Sequence, residues 1–151
     1  MKAFSISFPK SVAWLFCFLL MASAGANTLI AADAKLEAQL VWGTNDEASP
    51  GSKHKALEPS LAKKLKMFKW KQYFTVNREE IALAADPQKI RLSPHCEIKV
   101  KSLGGERYEI NVFGEGKHVR KITERITKQD SLVIAGDDKN DCAWFILIRE
   151  I

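Results

Sequence analysis

Residues 96–114 constrain the fold more than any other part of this chain. Apolar side chains occupy alternate positions before and after the adjacent glycines Gly104 and Gly105. Successive side chains of a β-strand point to opposite faces, so each run predicts a strand with one buried and one solvated face. Two such runs joined by Gly-Gly predict a β-hairpin. The alternating apolar positions are Cys96, Ile98, Val100, Tyr108, Ile110 and Val112.

Further strands are predicted on both sides of this hairpin. In residues 36–42, Glu37 and Gln39 alternate with apolar side chains, which predicts a half-buried strand. The last strand, residues 142–148, is apolar on both faces and is expected in the interior. A short helix is predicted at residues 59–67, where Pro59 suits the first turn. The remaining predicted strands are 70–76, 89–93, 118–126 and 132–135, and residues 77–85 fit either a strand or a helical turn.

These patterns together predict the fold class. Short strands separated by turn residues indicate an all-β antiparallel sandwich or barrel-like domain of about seven strands with one short helix.

The amino terminus has the pattern of an export signal. Lys2 and Lys10 precede an apolar run at residues 12–24, and Ala24-Gly25-Ala26 supplies the small residues of a cleavage site. We therefore expect a signal peptide at residues 1–26 and a single β-rich domain at 27–151. An uncleaved anchor is the alternative, because no charge lies between Lys10 and Asp33.

The net charge and the cysteines of the chain bear on two questions: whether it binds nucleic acid and whether it contains a disulfide. The formal charge of +5 falls to +3 when Lys2 and Lys10 leave, an excess too small to indicate nucleic acid. Cys96 and Cys142 stay in the exported domain. If the five strands after Pro94 reverse as successive hairpins, both cysteines begin strands at the same end. We hypothesise a disulfide between them, worth roughly 4 kcal/mol in loop-closure entropy; two unpaired buried thiols are the alternative.

A basic and aromatic segment is the main candidate binding site. Its lysines alternate with Leu65, Phe68, Tyr73 and Phe74, and such a segment can bind an anionic membrane or an acidic polymer. The simpler interpretation is that its aromatic rings face the core while its lysines are solvated. The candidate ligand-binding residues are Lys63, Lys64, Lys66, Lys69, Trp70 and Lys71.

The sequence predicts no enzyme, no cofactor and no metal site. His95 and Cys96 are strand neighbours that point to opposite faces, so they do not form a nucleophile–base pair. The three histidines, His54, His95 and His118, lack metal-ligand spacing and are expected on the surface. Asp137, Asp138, Asn140 and Asp141 place side-chain oxygens in one short loop, and their spacing favours a turn over a calcium loop. A hydrolase would need residues such as Glu79, Glu80 or Asp137 to converge in one cleft.

Three sequence blocks resemble an uncharacterised family of small exported bacterial proteins. They are LVWGTN at residues 40–45, FKWKQYF at 68–74 and AWF at 143–145. The resemblance implies export and carries over no catalytic or binding residue.

We therefore expect an exported, non-enzymatic binding module that is periplasmic, extracellular or cell-surface. Its predicted partner is an envelope protein or an anionic surface or polymer, and not nucleic acid. Membrane contact is expected only through the N-terminal segment or the basic segment. The alternative is a peripheral membrane or anionic-polymer binder that acts through residues 63–71. Sheet edges and the loop at 43–56 are the expected contact surfaces.

Overall fold

The protein folds as two antiparallel β-sheets, which confirms the all-β sandwich. The computed structural model describes residues 35–46, 54–137 and 142–151. Within them lie one α-helix, α1 (Pro59–Leu65), a 3₁₀ turn (Lys66–Phe68) and nine strands. The strands are β1 (Lys35–Thr44), β2 (Lys55–Ala56), β3 (Gln72–Ala82), β4 (Gln88–Ser93), β5 (Cys96–Gly104), β6 (Arg107–Gly114), β7 (Lys117–Arg125), β8 (Leu132–Asp137) and β9 (Cys142–Glu150).

One sheet has five strands in the order β2-β3-β1-β9-β8, and the other has four in the order β4-β5-β6-β7. The two-residue β2 is one strand that the alternation did not predict. The doubtful residues 77–85 are resolved in favour of a strand, because β3 continues to Ala82 in register with β1.

The predicted hairpin is β5–β6, and its turn lies one residue later than Gly104-Gly105. Gly104 pairs with Arg107, so the loop residues are Gly105 and Glu106, whose φ angles are 59° and 61°. Two successive positive φ angles give the type I′ turn, whose twist matches that of paired strands. The β6–β7 hairpin repeats the arrangement with Glu115 and Gly116.

A large apolar core fills the space between the sheets. Inward side chains of the four-stranded sheet, such as Ile98 and Ile110, meet those of β1 and β9, such as Leu36 and Ile146. Burying each such side chain stabilises the fold by about 1.5–3 kcal/mol.

A second apolar cluster lies on the outer face of the five-stranded sheet. Leu61 and Leu65 of α1 pack there on Val41, Phe145 and Leu147. Strand β9 therefore contributes to both cores, which confirms the prediction of an interior last strand.

The first strand is more buried than predicted. Glu37 and Gln39 were expected on a solvated face, yet Glu37 is 0% exposed and Gln39 is 4% exposed. That face also carries the α1 cluster, and Arg149 and Arg78 reach over it to the Glu37 carboxylate. A charged residue in an alternating strand therefore does not establish that its face of the sheet is exposed to solvent.

Cys96 and Cys142 are not joined by a disulfide, so the hypothesis of a bridge is wrong. It required their two strands to be neighbours. The connection after β7 instead passes to the other sheet, so β5 lies between β4 and β6 while β9 lies between β1 and β8. The two cysteines thus belong to different sheets, so the side-by-side strands that the hypothesis assumed do not occur.

The helix begins at Pro59 as predicted and ends at Leu65, two residues early. The chain tightens there into the 3₁₀ turn, which ends at Lys69 in a left-handed conformation with φ of 63°. No helix among the described residues is long and apolar enough to cross a membrane. The predicted signal at 1–26, the middle of the 43–56 loop (residues 47–53) and residues 138–141 lie outside the described residues.

Candidate functional site

An apolar cavity of about 320 Å³ lies between the sheets at one end of the sandwich. Leu40 and Trp144 line it from the five-stranded sheet, and Cys96 and Val112 line it from the four-stranded sheet. Its mouth is formed by Glu115 and by Val119, whose side chain is 60% exposed. Small-molecule sites have volumes of about 300–1,000 Å³ and mostly apolar walls, so this cavity has the size and chemistry of a ligand site.

These side chains reach the cavity because each lies on the inward face of its strand. Cys96 and Val112 share a face with the inward residues of β5 and β6, and Leu40 and Trp144 do the same on β1 and β9. The cavity itself was not predicted, because its existence depends on how far the two sheets separate at this end.

The indole of Trp144 occupies space that a glycine on the neighbouring strand leaves open. Gly136 lies opposite Trp144 in the β8–β9 register, and a Cβ at position 136 would overlap the six-membered ring of the indole. Trp144 is half-buried, so part of its ring is available to a bound group. The absence of a side chain at Gly136 therefore lets the Trp144 indole form one wall of the cavity.

Cys96 lines the cavity as a small apolar group. Burial raises the pKa of its thiol, which keeps it protonated at neutral pH. Nucleophilic cysteines need the opposite shift, towards the thiolate. The neighbouring His95 is exposed in the turn before β5, and its carbonyl accepts a hydrogen bond from the Glu115 amide at 2.9 Å.

Phe68 and Trp70 of the 63–71 segment, and Tyr73 just after it, face the second core, whereas Phe74 lies opposite Trp42 on the other face of the sheet. The ring of Phe68 lies 4.9 Å from that of Phe145, and the hydroxyl of Tyr73 donates a hydrogen bond to the Leu65 carbonyl at 2.6 Å. Trp70 packs over Gly43. These rings therefore face a core, as the simpler interpretation of the segment expects, and Trp70 contributes to packing there.

The lysines of this segment lie at the surface. Lys63, Lys66, Lys69 and Lys71 are exposed, whereas Lys64 is half-buried, with its ammonium 3.7 Å from an Asp130 carboxylate oxygen. The side chain of Met67 is 75% exposed among them. Four of the five lysines are thus solvated, as the simpler interpretation expects.

The strand register separates Asp137 from Glu79 and Glu80, the other acidic residues of the hydrolase hypothesis. Glu80 lies opposite Glu37 near one end of β1, while Asp137 lies opposite Ala143, which pairs with Gly43 near the other end. Six residues of β1 separate these rows, about 20 Å at the rise of a strand.

The three histidines differ in their exposure and surroundings. His95 and His118 are exposed, and His54 lies beside Trp42 with 6.4 Å between ring centroids. Within the described ranges, no three His, Cys, Asp or Glu side chains are grouped to hold a metal ion.

A polar groove beside Glu37 is a second feature that the sequence did not suggest. It has a volume of about 570 Å³ and is lined by Gln39, Lys55, Glu58, Thr75 and Arg78, among others. The Ser60 hydroxyl and the nearby Arg149 lower the pKa of the Glu58 carboxyl. Its cationic and anionic groups lie side by side, so it shows no preference for one ligand charge.

The fold and the cavity define a class of protein: an antiparallel β-sandwich with a ligand-sized apolar cavity at one end. Comparisons of the chain with protein-family models, with curated proteins and with solved structures gave no match.

Proposed function

We propose that this protein is an exported, non-enzymatic binding module whose ligand site is the apolar cavity at the end of the sandwich. The observation that carries the proposal is the apolar wall of that cavity, built by Leu40, Cys96, Val112 and Trp144 and open beside Val119. An uncharged apolar molecule, or an apolar side chain of a partner, is the ligand that such walls favour.

Export is supported by the sequence of residues 1–26 and by the resemblance to exported proteins. Mass spectrometry of the protein recovered from its native host tests it. An amino terminus at Asn27 is expected, and a full-length protein in the cytoplasm would contradict export.

A fluorescence titration with the uncharged apolar dye N-phenyl-1-naphthylamine tests the cavity. We expect saturable binding to the wild-type protein, and Val112→Phe should weaken it at least tenfold because the larger ring occupies the cavity. The matched control is Val133→Phe, which makes the same change at a half-buried site that packs against the second core. Unchanged binding in the control and melting curves that show both variants folded are expected.

Two results would contradict the proposal. One is the absence of saturable dye binding to the wild-type protein. The other is equal dye binding by wild type and a folded Val112→Phe variant.

A second candidate function is supported by the surface around Met67. This exposed apolar side chain lies between Lys66 and Lys69, with Lys63 and Lys71 also exposed in the same segment. A cationic surface with an apolar tip can lie on an anionic membrane.

Cosedimentation with phosphatidylglycerol vesicles over a salt series distinguishes the two candidates. If Met67 and its lysines bind membrane, Lys66→Gln/Lys69→Gln should reduce sedimentation and salt should abolish it. If the cavity is the only site, the vesicles should leave the protein in the supernatant.

A further inference from the structure

The outer face of the four-stranded sheet carries a dense array of cations. Strand alternation places seven basic and two acidic side chains on this face, and all seven basic ones are exposed. The basic residues are Lys89, Arg91, Lys99, Lys101, Arg107, Lys121 and Arg125; the acidic ones are Glu97 and Glu109. We call this surface the basic sheet face.

The strand register arranges these cations in rows. Lys89, Lys99, Asn111 and Lys121 are successive partners across all four strands. At the spacing of neighbouring strands, this row is about 14 Å long. The basic sheet face therefore presents a linear set of positive charges.

Four of its cations form no ion pair within 4 Å with any described residue, although Arg91 lies opposite Glu97 and Lys101 opposite Glu109 in the strand register. Glu97 binds Lys89 at 2.9 Å, Glu109 binds Lys121 at 2.8 Å, and Glu106 of the β5–β6 turn binds Arg125. Arg91, Lys99, Lys101 and Arg107 form no ion pair within the described part of the chain.

Two pairs of like charges lie directly opposite each other. Lys89 is the partner of Lys99, and Arg107 is the partner of Arg125. Like charges directly opposite on a sheet are destabilising. Lys89 and Arg125 each bind a glutamate already, and a bound polyanion would neutralise the other member of each pair.

We infer that the basic sheet face binds a linear acidic polysaccharide. Its charge complements a polyanion, and its extended rows fit a linear one. Single-stranded nucleic acids are bound on exposed aromatic platforms. Here the one aromatic ring, Phe113, is half-buried under the Lys99 ammonium at 5.1 Å and beside His118 at 5.3 Å. A membrane-binding surface would add exposed apolar side chains, and this sheet carries Leu103 and Val119, which are 46% and 60% exposed. Phosphatidylglycerol vesicles are therefore a competing ligand in the test.

Fluorescence anisotropy with labelled heparin and labelled alginate, over a salt series, tests this inference on the full chain. The test variant is Lys99→Gln/Lys101→Gln/Arg107→Gln, which leaves every ion pair on the face intact. The matched control is Lys63→Gln/Lys66→Gln/Lys69→Gln, which removes the same charge from the opposite side.

We expect wild type and control to bind with affinities within about twofold of each other. The test variant should bind about tenfold more weakly at low salt, with the slope of log affinity against log salt reduced by about two to three. Circular dichroism confirms that each variant is folded.

Four results would overturn the inference: no binding of either polysaccharide, a folded test variant that binds like wild type, a control that is weakened equally, or tighter binding of oligothymidylate or phosphatidylglycerol vesicles. The cavity proposal is separate, because the dye titration uses an uncharged probe and a different face.

Discussion

Glu37 is the only charged residue in the buried class of the described chain, and its surroundings explain why it is tolerated. Its carboxylate accepts hydrogen bonds from Gln39 Nε2 and from Arg149 Nε, the latter at 2.9 Å, and pairs with Arg78. The two arginines are themselves partly exposed, with 26% and 53% of their side-chain surface in solvent for Arg149 and Arg78. The cluster therefore links a buried anion to cations that reach water.

This arrangement predicts that substituting the arginine and substituting the glutamate lower the free energy of unfolding by different amounts. Arg149→Met should lower the free energy of unfolding by about 2–4 kcal/mol, since it leaves a buried carboxylate short of a partner. Glu37→Gln should lower it by only about 1–2 kcal/mol, because the arginines left behind can be hydrated. Urea denaturation measures both, and the exposed pair of Arg125 and Glu106 supplies the control, with Arg125→Met costing less than about 1 kcal/mol. A larger effect of Glu37→Gln than of Arg149→Met would contradict this account.

Gly136 is the residue on which the cavity wall depends most closely. Gly136→Ala should lower the free energy of unfolding by about 1–3 kcal/mol, because the new methyl group requires Trp144 or strand β8 to shift. It should also alter near-ultraviolet circular dichroism as the indole moves. Gly114→Ala is the control, since its added Cβ would lie 3.2 Å from Val119 Cγ2, a contact that a small shift relieves. A fully stable Gly136→Ala variant with an unchanged spectrum would show that Trp144 is not held as described.

At the scale of elements, the two central strands of the larger sheet should be the most stable part of the chain. Strand β1 pairs with β3 and β9, and β9 pairs with β1 and β8, whereas β7 is an edge strand. Amides protected by two neighbours and by buried side chains exchange only in extensive unfolding. Hydrogen exchange followed by mass spectrometry should therefore show the slowest exchange in β1 and β9 and faster exchange in β7. Faster exchange in β9 than in β7 would contradict the strand order.

The elements also show what alternation can and cannot predict. It identified the β5–β6 hairpin and the interior strand β9 because both depend on local side-chain periodicity. It misjudged Glu37 and Gln39, since their burial results from α1 and Arg149, which are distant in sequence. It likewise failed for Cys96 and Cys142, because strand order does not reveal where the chain passes from one sheet to the other.

The candidate sites divide in the same way. Strand assignment is enough to locate the lysines of residues 63–71 and those of the basic sheet face, although only the former are contiguous in the sequence. The cavity could not be read, because it is bounded by Leu40, Cys96, Val112 and Trp144 from four strands and two sheets. Its volume depends on the distance between the sheets, which no local pattern encodes.

At the scale of the whole molecule, the two layers separate three candidate binding regions: one apolar cavity and two cationic outer surfaces. The apolar cavity lies between the sheets, α1 and the segment with Met67 and its neighbouring lysines cover the outer side of the larger sheet, and the basic sheet face is the outer side of the smaller one. A ligand that binds between the layers therefore leaves both outer surfaces available.

The most direct test of the cavity as the binding site is an NMR titration of isotope-labelled protein with N-phenyl-1-naphthylamine. The account predicts that the largest amide shifts cluster at Leu40, Cys96, Val112, Val119 and Trp144, the residues that line the cavity and its mouth. Shifts confined to residues 63–71, or spread evenly over both sheets, would contradict it.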